Sequence, residues 1–266
     1  MSEATLQLLA GDPARDALVV GRVVLVLGGE PVTLEMAVPS GPIGFEDVLP
    51  ILQGLTDFVV NRGVEVAESA GRTISCRAGG GACCRQLVPI SQAEARALAA
   101  LVAAMPGPRR EEIRRRFAAA LQTLHSGGVT REIDAAREEV TDSTAGLGMR
   151  YFRQGVACPF LENEACSIHP DRPLSCRQYL VTSPAAKCVS PAPDTIETVA
   201  LPARPSRALL LADSEDAGVS WMPLVYALRY ADEVPSRVPA RTAPDLLRDV
   251  FSRFQDADGA ERGERE

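Results

Sequence analysis

Two groups of cysteines offer the strongest chemistry in this chain: Cys76, Cys83 and Cys84, and then Cys158, Cys166, Cys176 and Cys188. Thiolates are soft ligands, and thiols clustered among glycine and proline turns suit a metal site. In the first group six residues separate Cys76 from the adjacent pair, and Gly79, Gly80 and Gly81 within that gap can take the positive φ angles a tight ligand loop needs. Neighbouring side chains diverge in a helix or a strand, so Cys83 and Cys84 can meet one ion only through an irregular turn. Otherwise they face different sites, or one faces the core. A closed tetrahedral site takes four ligands, so the seven cysteines supply one site with three over, or two sites lacking one ligand.

His169, three residues after Cys166, could provide that missing ligand through an imidazole nitrogen. A histidine before a proline in a turn is also a common surface residue. His125, near a helix end, reads as structural or exposed. Several thiolates around a divalent ion carry excess negative charge. Arg77, Arg85, Arg172 and Arg177 lie within a few residues of a cysteine and could donate hydrogen bonds to sulfur. The alternative is that Arg172 and Arg177 cap or salt-bridge locally.

Disulfides, redox thiols and unliganded core cysteines are the competing readings. The N-terminus has Glu3 where a signal peptide would be basic, and the apolar stretch from Leu6 to Ala10 is short for a secretion signal. No run approaches the ~18 apolar residues of a membrane span. The cysteine count is odd, and 266 residues can bury a full core without cross-links. A cytoplasmic location is the expectation, and there such patterns read as metal or catalytic sites. With 46% hydrophobic and 24% charged residues the composition is that of an ordinary globular protein, and a formal charge of -7 argues against nucleic acid or anionic membrane as partners. Lys187 is the single lysine among 28 basic residues, which we read as base composition. The run Arg109, Arg110, Arg114, Arg115 and Arg116 is interleaved with Glu111 and Glu112, a solvated helix face rather than a phosphate patch.

The motifs SCRAGGGACCRQLVPIS and CPFLENEACSIHPDRPLSCRQY resemble those of the YkgJ-type cysteine-cluster family of zinc- or iron-chelating proteins. That family's first motif is C-x3-C-x2-C-C, and its second is similar to C-P-F-L, then C-S-I-Y, then R-P-x-x-C-R. The resemblance covers residues 76–90 and 158–180. It implies a metal partner, zinc or iron, the iron as an ion or a 4Fe-4S cluster, held by Cys76, Cys83, Cys84, Cys158, Cys166, Cys176 and Cys188. Two departures stand out. Gly80 occupies the position of the family's second cysteine, and His169 stands where the family more often has tyrosine. Gly80 therefore marks a lost ligand, an open coordination position or a substitution.

Other chemistry is thin. The glycine triplet lacks the lysine and hydroxyl residue of a phosphate loop, and neither H-E-x-x-H nor G-x-S-x-G occurs. Glu132, Asp134, Glu138, Glu139 and Asp142 read as a solvated helix face, and Tyr151, Phe152 and Phe160 as packing around the site. The primary expectation is a metal-binding protein whose ion organises the domain. The alternatives are an enzyme, since the flagellin lysine N-methylase resembles the same family and iron could support methyl transfer or redox work, and a metal-delivery protein. No glycine-rich fingerprint for a methyl donor is present.

The elements that must carry these cysteines are mainly helical, preceded by a small β-hairpin, an α+β class. Residues 17–38 read as the hairpin, turning at Gly28 and Gly29, with Val32 to Met36 alternating at period two. Phe45, Val48, Leu49, Leu52, Leu55 and Val59 share a helical face, and Gly63 suggests a stop. After an extended piece from Leu87 to Ile90, Ser91-Gln92-Ala93-Glu94 is a capping box opening a helix to about Ala104. Pro106-Gly107-Pro108 breaks it. Further helices are expected from Arg109 to Leu124, Thr130 to Val140, Pro205 to Asp213, Trp221 to Asp232 and Pro244 to Phe254, and a strand from Ile196 to Leu201. The expected division is an N-terminal hairpin and helix (1–70), a cysteine-cluster domain (71–200), C-terminal helices packed on it (201–258) and a disordered tail (259–266), with fraying from Asp256.

Overall fold

The computed structural model describes residues 4–14, 16–77, 79–137, 145–192, 195–214, 221–234 and 240–254. It is mainly α with a small N-terminal sheet, as the pattern predicts. Strands β2 (Leu18–Leu27) and β3 (Glu30–Pro39) form the hairpin, with Val23 opposite Leu34. Gly28 and Gly29 turn it at φ of 61° and 86°, which fits the right-handed twist of the flanking strands. A third strand, β1 (Ala4–Leu9), pairs parallel to β3 on the other side, so the order is β1-β3-β2.

Helix α1 (Phe45–Ser69) lays Val48, Leu52, Leu55 and Val59 against this sheet. Gly63 does not end it. A Cβ there would stand 2.7 Å from Leu201 Cδ2 and 2.9 Å from the Ala200 carbonyl, so the glycine lets the returning chain cross the helix. Helix α8 (Pro205–Ser214) and helix α10 (Ala243–Ser252) complete this first core.

A second core is built by α2 (Gln92–Ala104), α3 (Gly107–Ser126), α4 (Val129–Ala136), α5 (Ala145–Phe152) and α9 (Ala227–Glu233). The capping box forms as expected: Ser91 Oγ accepts the Glu94 N–H at 3.1 Å, and Glu94 Oε2 accepts the Ser91 N–H at 2.8 Å. Helix α2 belongs to both cores, with Ala93 in the first and Ala95, Leu98 and Val102 in the second. The cysteine loops lie where the two meet.

Two further expectations need correction. Thr198 makes only an isolated bridge to Val181, not a strand over residues 196–201. Met222–Pro223 pairs with Pro89–Ile90, so the helix expected from Trp221 begins at Ala227, after a 3-10 turn over Leu224–Tyr226. The end of the helix expected to reach Val140, with Glu138, Glu139 and Asp142, lies outside the described residues, as does the tail from Asp256. No helix among the described residues is long and apolar enough to cross a membrane.

Candidate metal centre

The first cysteine group sits on a loop whose shape depends on its glycines, though not uniformly. Gly79 takes φ of 84°, while Gly80 has an ordinary φ of -101°. Gly81 is needed for space, because a Cβ would stand 2.7 Å from Leu161 Cδ1 and 2.8 Å from Glu164 Oε2. A 3-10 turn over Gly81–Arg85 then presents Cys83 and Cys84, the irregular turn that adjacent ligands require.

Backbone contacts join the second group to the first. The Cys158 N–H donates to the Cys84 carbonyl at 2.7 Å. A two-residue hairpin follows, pairing Leu161 with Cys166 across Asn163 and Glu164, both at positive φ. Arg85 clamps this hairpin to the 3-10 turn, donating to Glu164 at 2.9 and 2.7 Å and to the Gly81 carbonyl at 3.0 Å. Cys176 lies in helix α6 (Leu174–Gln178), whose first N–H is accepted by Glu94 at 2.8 Å.

Five thiols from these segments, Cys83, Cys84, Cys158, Cys166 and Cys176, border one cavity of about 370 Å³. Cys76 and Cys188 line a second cavity of about 490 Å³, on whose wall Cys83 also stands. Cys188 is buried on helix α7 (Ala186–Val189), and the exposed Cys76 accepts the Val181 N–H at its Sγ at 3.4 Å. The seven predicted ligands thus divide five and two, with Cys83 between them.

As the side chains stand, no three His, Cys, Asp or Glu groups among the described residues are gathered closely enough to hold an ion. Cys83 and Cys84 are hydrogen-bonded to each other, which lowers the pKa of Cys83 and raises that of Cys84. Burial pushes the Cys158 thiol up to about 12, and the neighbouring Cys166 and Cys83 thiolates add to the rise, while the Phe160 N–H opposes it. Cys176 is raised well above an ordinary thiol by burial, with Cys158 and Glu94 adding to it. Cys166 is raised by burial against the Ile168 N–H and Arg172, and Cys188 by burial and by Cys76 and Cys83. These mutual influences are what close neighbours impose on one another.

The positive side chains do less for sulfur than their positions suggest. Arg177 is buried; it pairs with Asp57 of α1 at 2.9 Å and donates to the carbonyls of Arg172 and Pro170. Arg85 is occupied by Glu164. Arg77 lines the second cavity and Arg172 the first, where Arg172 favours the thiolates of Cys83 and Cys166. Backbone amides two residues beyond Cys158 and Cys166 do the work expected of side chains, stabilising sulfur from Phe160 and Ile168. The C-P-F and C-S-I spacings carried that signal. His169 is exposed and lines neither cavity; Arg172, burial and Arg177 lower its pKa.

Thiols dominate the donors bordering the first cavity, with the Tyr179 hydroxyl beside them and no Asp, Glu or His among its described lining residues. Such a set suits zinc or iron and disfavours calcium or magnesium, which take oxygen ligands. Residues 75–197 match the family model CxxCxxCC, described as "Putative zinc- or iron-chelating domain". No curated protein and no solved structure matches the chain.

All seven cysteines, with His169, Arg172 and Arg177, fall inside the matched stretch. Its site is nevertheless finished by residues outside it. Leu201, Ser206 and Leu224 close the first cavity, and Asp57 holds the Arg177 that ties the turn before Cys176 to α1.

Proposed function

We propose that the protein binds zinc or iron through thiolates at the first cavity, drawing its ligands from Cys83, Cys84, Cys158, Cys166 and Cys176. The observation that carries this reading is the meeting of five thiols, from separate segments, on one cavity whose described walls carry no carboxylate or imidazole. Four of the five suffice for a tetrahedral site, and the ion supplies Lewis acidity or, as iron, redox capacity. The thiols must rotate to reach a common point, and the Cys83 to Cys84 hydrogen bond is what such a rotation exchanges for metal bonds. Cys76 and Cys188, with Cys83 on the shared wall, form a separate and poorer group. His169 is not proposed as a ligand, because its side chain is exposed.

Elemental analysis of protein purified anaerobically without added metal tests the proposal. Stoichiometric zinc in a colourless sample supports a single-ion site. A brown sample with acid-labile sulfide supports a 4Fe-4S centre and, with it, the enzymatic alternative. A folded, fully reduced protein that retains neither metal, and takes up neither on titration, refutes chelation.

A further inference from the structure

The cavity beside the five cysteines is far larger than an ion needs. A water molecule requires only about 10–15 Å³ of such space, whereas this cavity offers about 370 Å³, within the roughly 300–1,000 Å³ typical of small-molecule pockets. Away from the sulfur its walls are largely apolar, with Leu87, Val88, Phe160, Val199 and Leu224 among them. An apolar hollow of this size is suited to a hydrocarbon body.

Two side chains that line the cavity carry donors without a protein acceptor. Gln178 accepts the Ser206 N–H at its Oε1 at 3.2 Å, which fixes the orientation of the amide. Its Nε2 is then buried without an acceptor, although a buried N–H is normally satisfied. Arg172 donates through Nε to the His169 carbonyl at 3.2 Å, while its terminal nitrogens have no acceptor among the described residues. Its guanidinium matches a carboxylate, whose two oxygens can take parallel N–H bonds. Neither Asp nor Glu is among the described lining residues to compete for these donors.

We propose that this cavity binds a small organic carboxylate, its anionic head held by Arg172 and Gln178 and its apolar body lying against Leu87, Phe160 and Leu224. The assignment goes beyond chelation and does not require the ion, although Arg172 also favours the thiolates of Cys83 and Cys166. Such a ligand would be a co-substrate or an effector of whatever the bound metal does.

Calorimetric titration of the full-length protein, as purified, with hexanoate and with 1-hexanol tests this. The two probes share an apolar body and differ in the charged head. Hexanoate should bind saturably at roughly millimolar concentration or tighter, and 1-hexanol about tenfold more weakly. Arg172→Gln should weaken hexanoate by about tenfold or more and leave 1-hexanol unchanged. Gln178→Glu should do the same, since it keeps the oxygen that receives Ser206 and replaces the donor with a negative acceptor. Should that variant fail to fold, Arg172→Gln carries the test alone. Equal binding of the two probes, no saturable binding of hexanoate, or an unchanged Arg172→Gln overturns the proposal. Metal content of the same samples separates the two readings. A metal-bearing protein that ignores hexanoate refutes the ligand alone, and a protein that binds hexanoate without ever taking up zinc or iron refutes chelation alone.

Discussion

Glu94 Oε1 accepts the backbone N–H of Leu174 at 2.8 Å, while Oε2 of the same carboxyl accepts the N–H of Ser91. One buried side chain thereby closes the N-terminus of α2 and that of α6, the helix bearing Cys176, and couples the second core to the cysteine site. Helix N-termini leave N–H groups without intrahelical partners, and a carboxyl that receives two of them from different helices fixes their separation.

Burial raises the Glu94 pKa from 4.5 to about 7, against the N–H bonds that lower it. Below the unfolded value both states are protonated, and the full stabilising contribution of the protonated carboxyl is present. As pH rises from 4.5 towards 7 the unfolded chain loses its proton first, so stability falls, by about 3 kcal/mol if the shift is fully expressed. Urea unfolding at pH 5 and pH 7.5 should show this slope in the parent and not in Glu94→Gln. The variant, which loses one of two backbone acceptors, should also be weaker at pH 5 by about 1–3 kcal/mol.

Arg177 is 8% exposed and Asp57 53%, so the two ends of their ion pair differ in what their loss costs. Replacing Asp57 by Asn leaves the guanidinium its carbonyl partners and should cost about 1 kcal/mol. Replacing Arg177 by Met strands the carbonyls of Pro170 and Arg172 and should cost about 2–3 kcal/mol. Both fix the turn before Cys176 to α1, so bound metal should be lost to a chelator faster in Arg177→Met than in Asp57→Asn. Chelator competition followed by a chromophoric dye reads that order, and equal rates in the two variants and the parent would detach the pair from the site.

Local signals were legible in the sequence and long-range ones were not. Ser91 and Glu94 announced a helix start because the cap is made within four residues. The hairpin turn at Gly28 and Gly29 was equally local. Thr5 and Gln7 alternate with Leu6 and Leu8, a visible period of two, yet β1 pairs in parallel with β3, which follows β2 in the chain, a pairing no turn residue advertises. Gly63 looked like a stop because its reason for being glycine, the crossing of Ala200 and Leu201, is far off in sequence. The cysteines were evident by type. Their division between two cavities depends on the 3-10 turn and the Cys158 to Cys84 backbone bond.

That crossing is itself testable. Gly63→Ala gains about 1 kcal/mol of helix propensity but places a methyl 2.9 Å from the Ala200 carbonyl oxygen, which is backbone and cannot swing away. Overpacking of this kind costs roughly 1–3 kcal/mol, so a net loss of about 1 kcal/mol is expected. Gly21, with open space around its Cβ position, is the control on the β2 strand and should tolerate Ala with little change. Thermal unfolding of both variants measures the contrast, and a stabilised Gly63→Ala would show that the chain between Val199 and Leu201 yields.

The two cavities predict different consequences for loss and gain of a thiol. Cys158→Ser and Cys176→Ser remove donors from the five-thiol group and should lower bound metal sharply, whereas Cys188→Ser, in the other cavity, should do less. Gly80 lines that second cavity beside Cys76, Cys83 and Cys188, and its φ of -101° is one any residue adopts. A Cβ there meets only the Arg77 carbonyl, at 3.1 Å, so Gly80→Cys should fold with a small adjustment. It adds the fourth thiol a tetrahedral site requires if Cys83 turns to that side. The expected result is a second equivalent of zinc in Gly80→Cys, abolished when Cys188→Ser is added. One equivalent in both proteins would mean that Cys76 and Cys188 bind no ion even when a fourth sulfur is supplied.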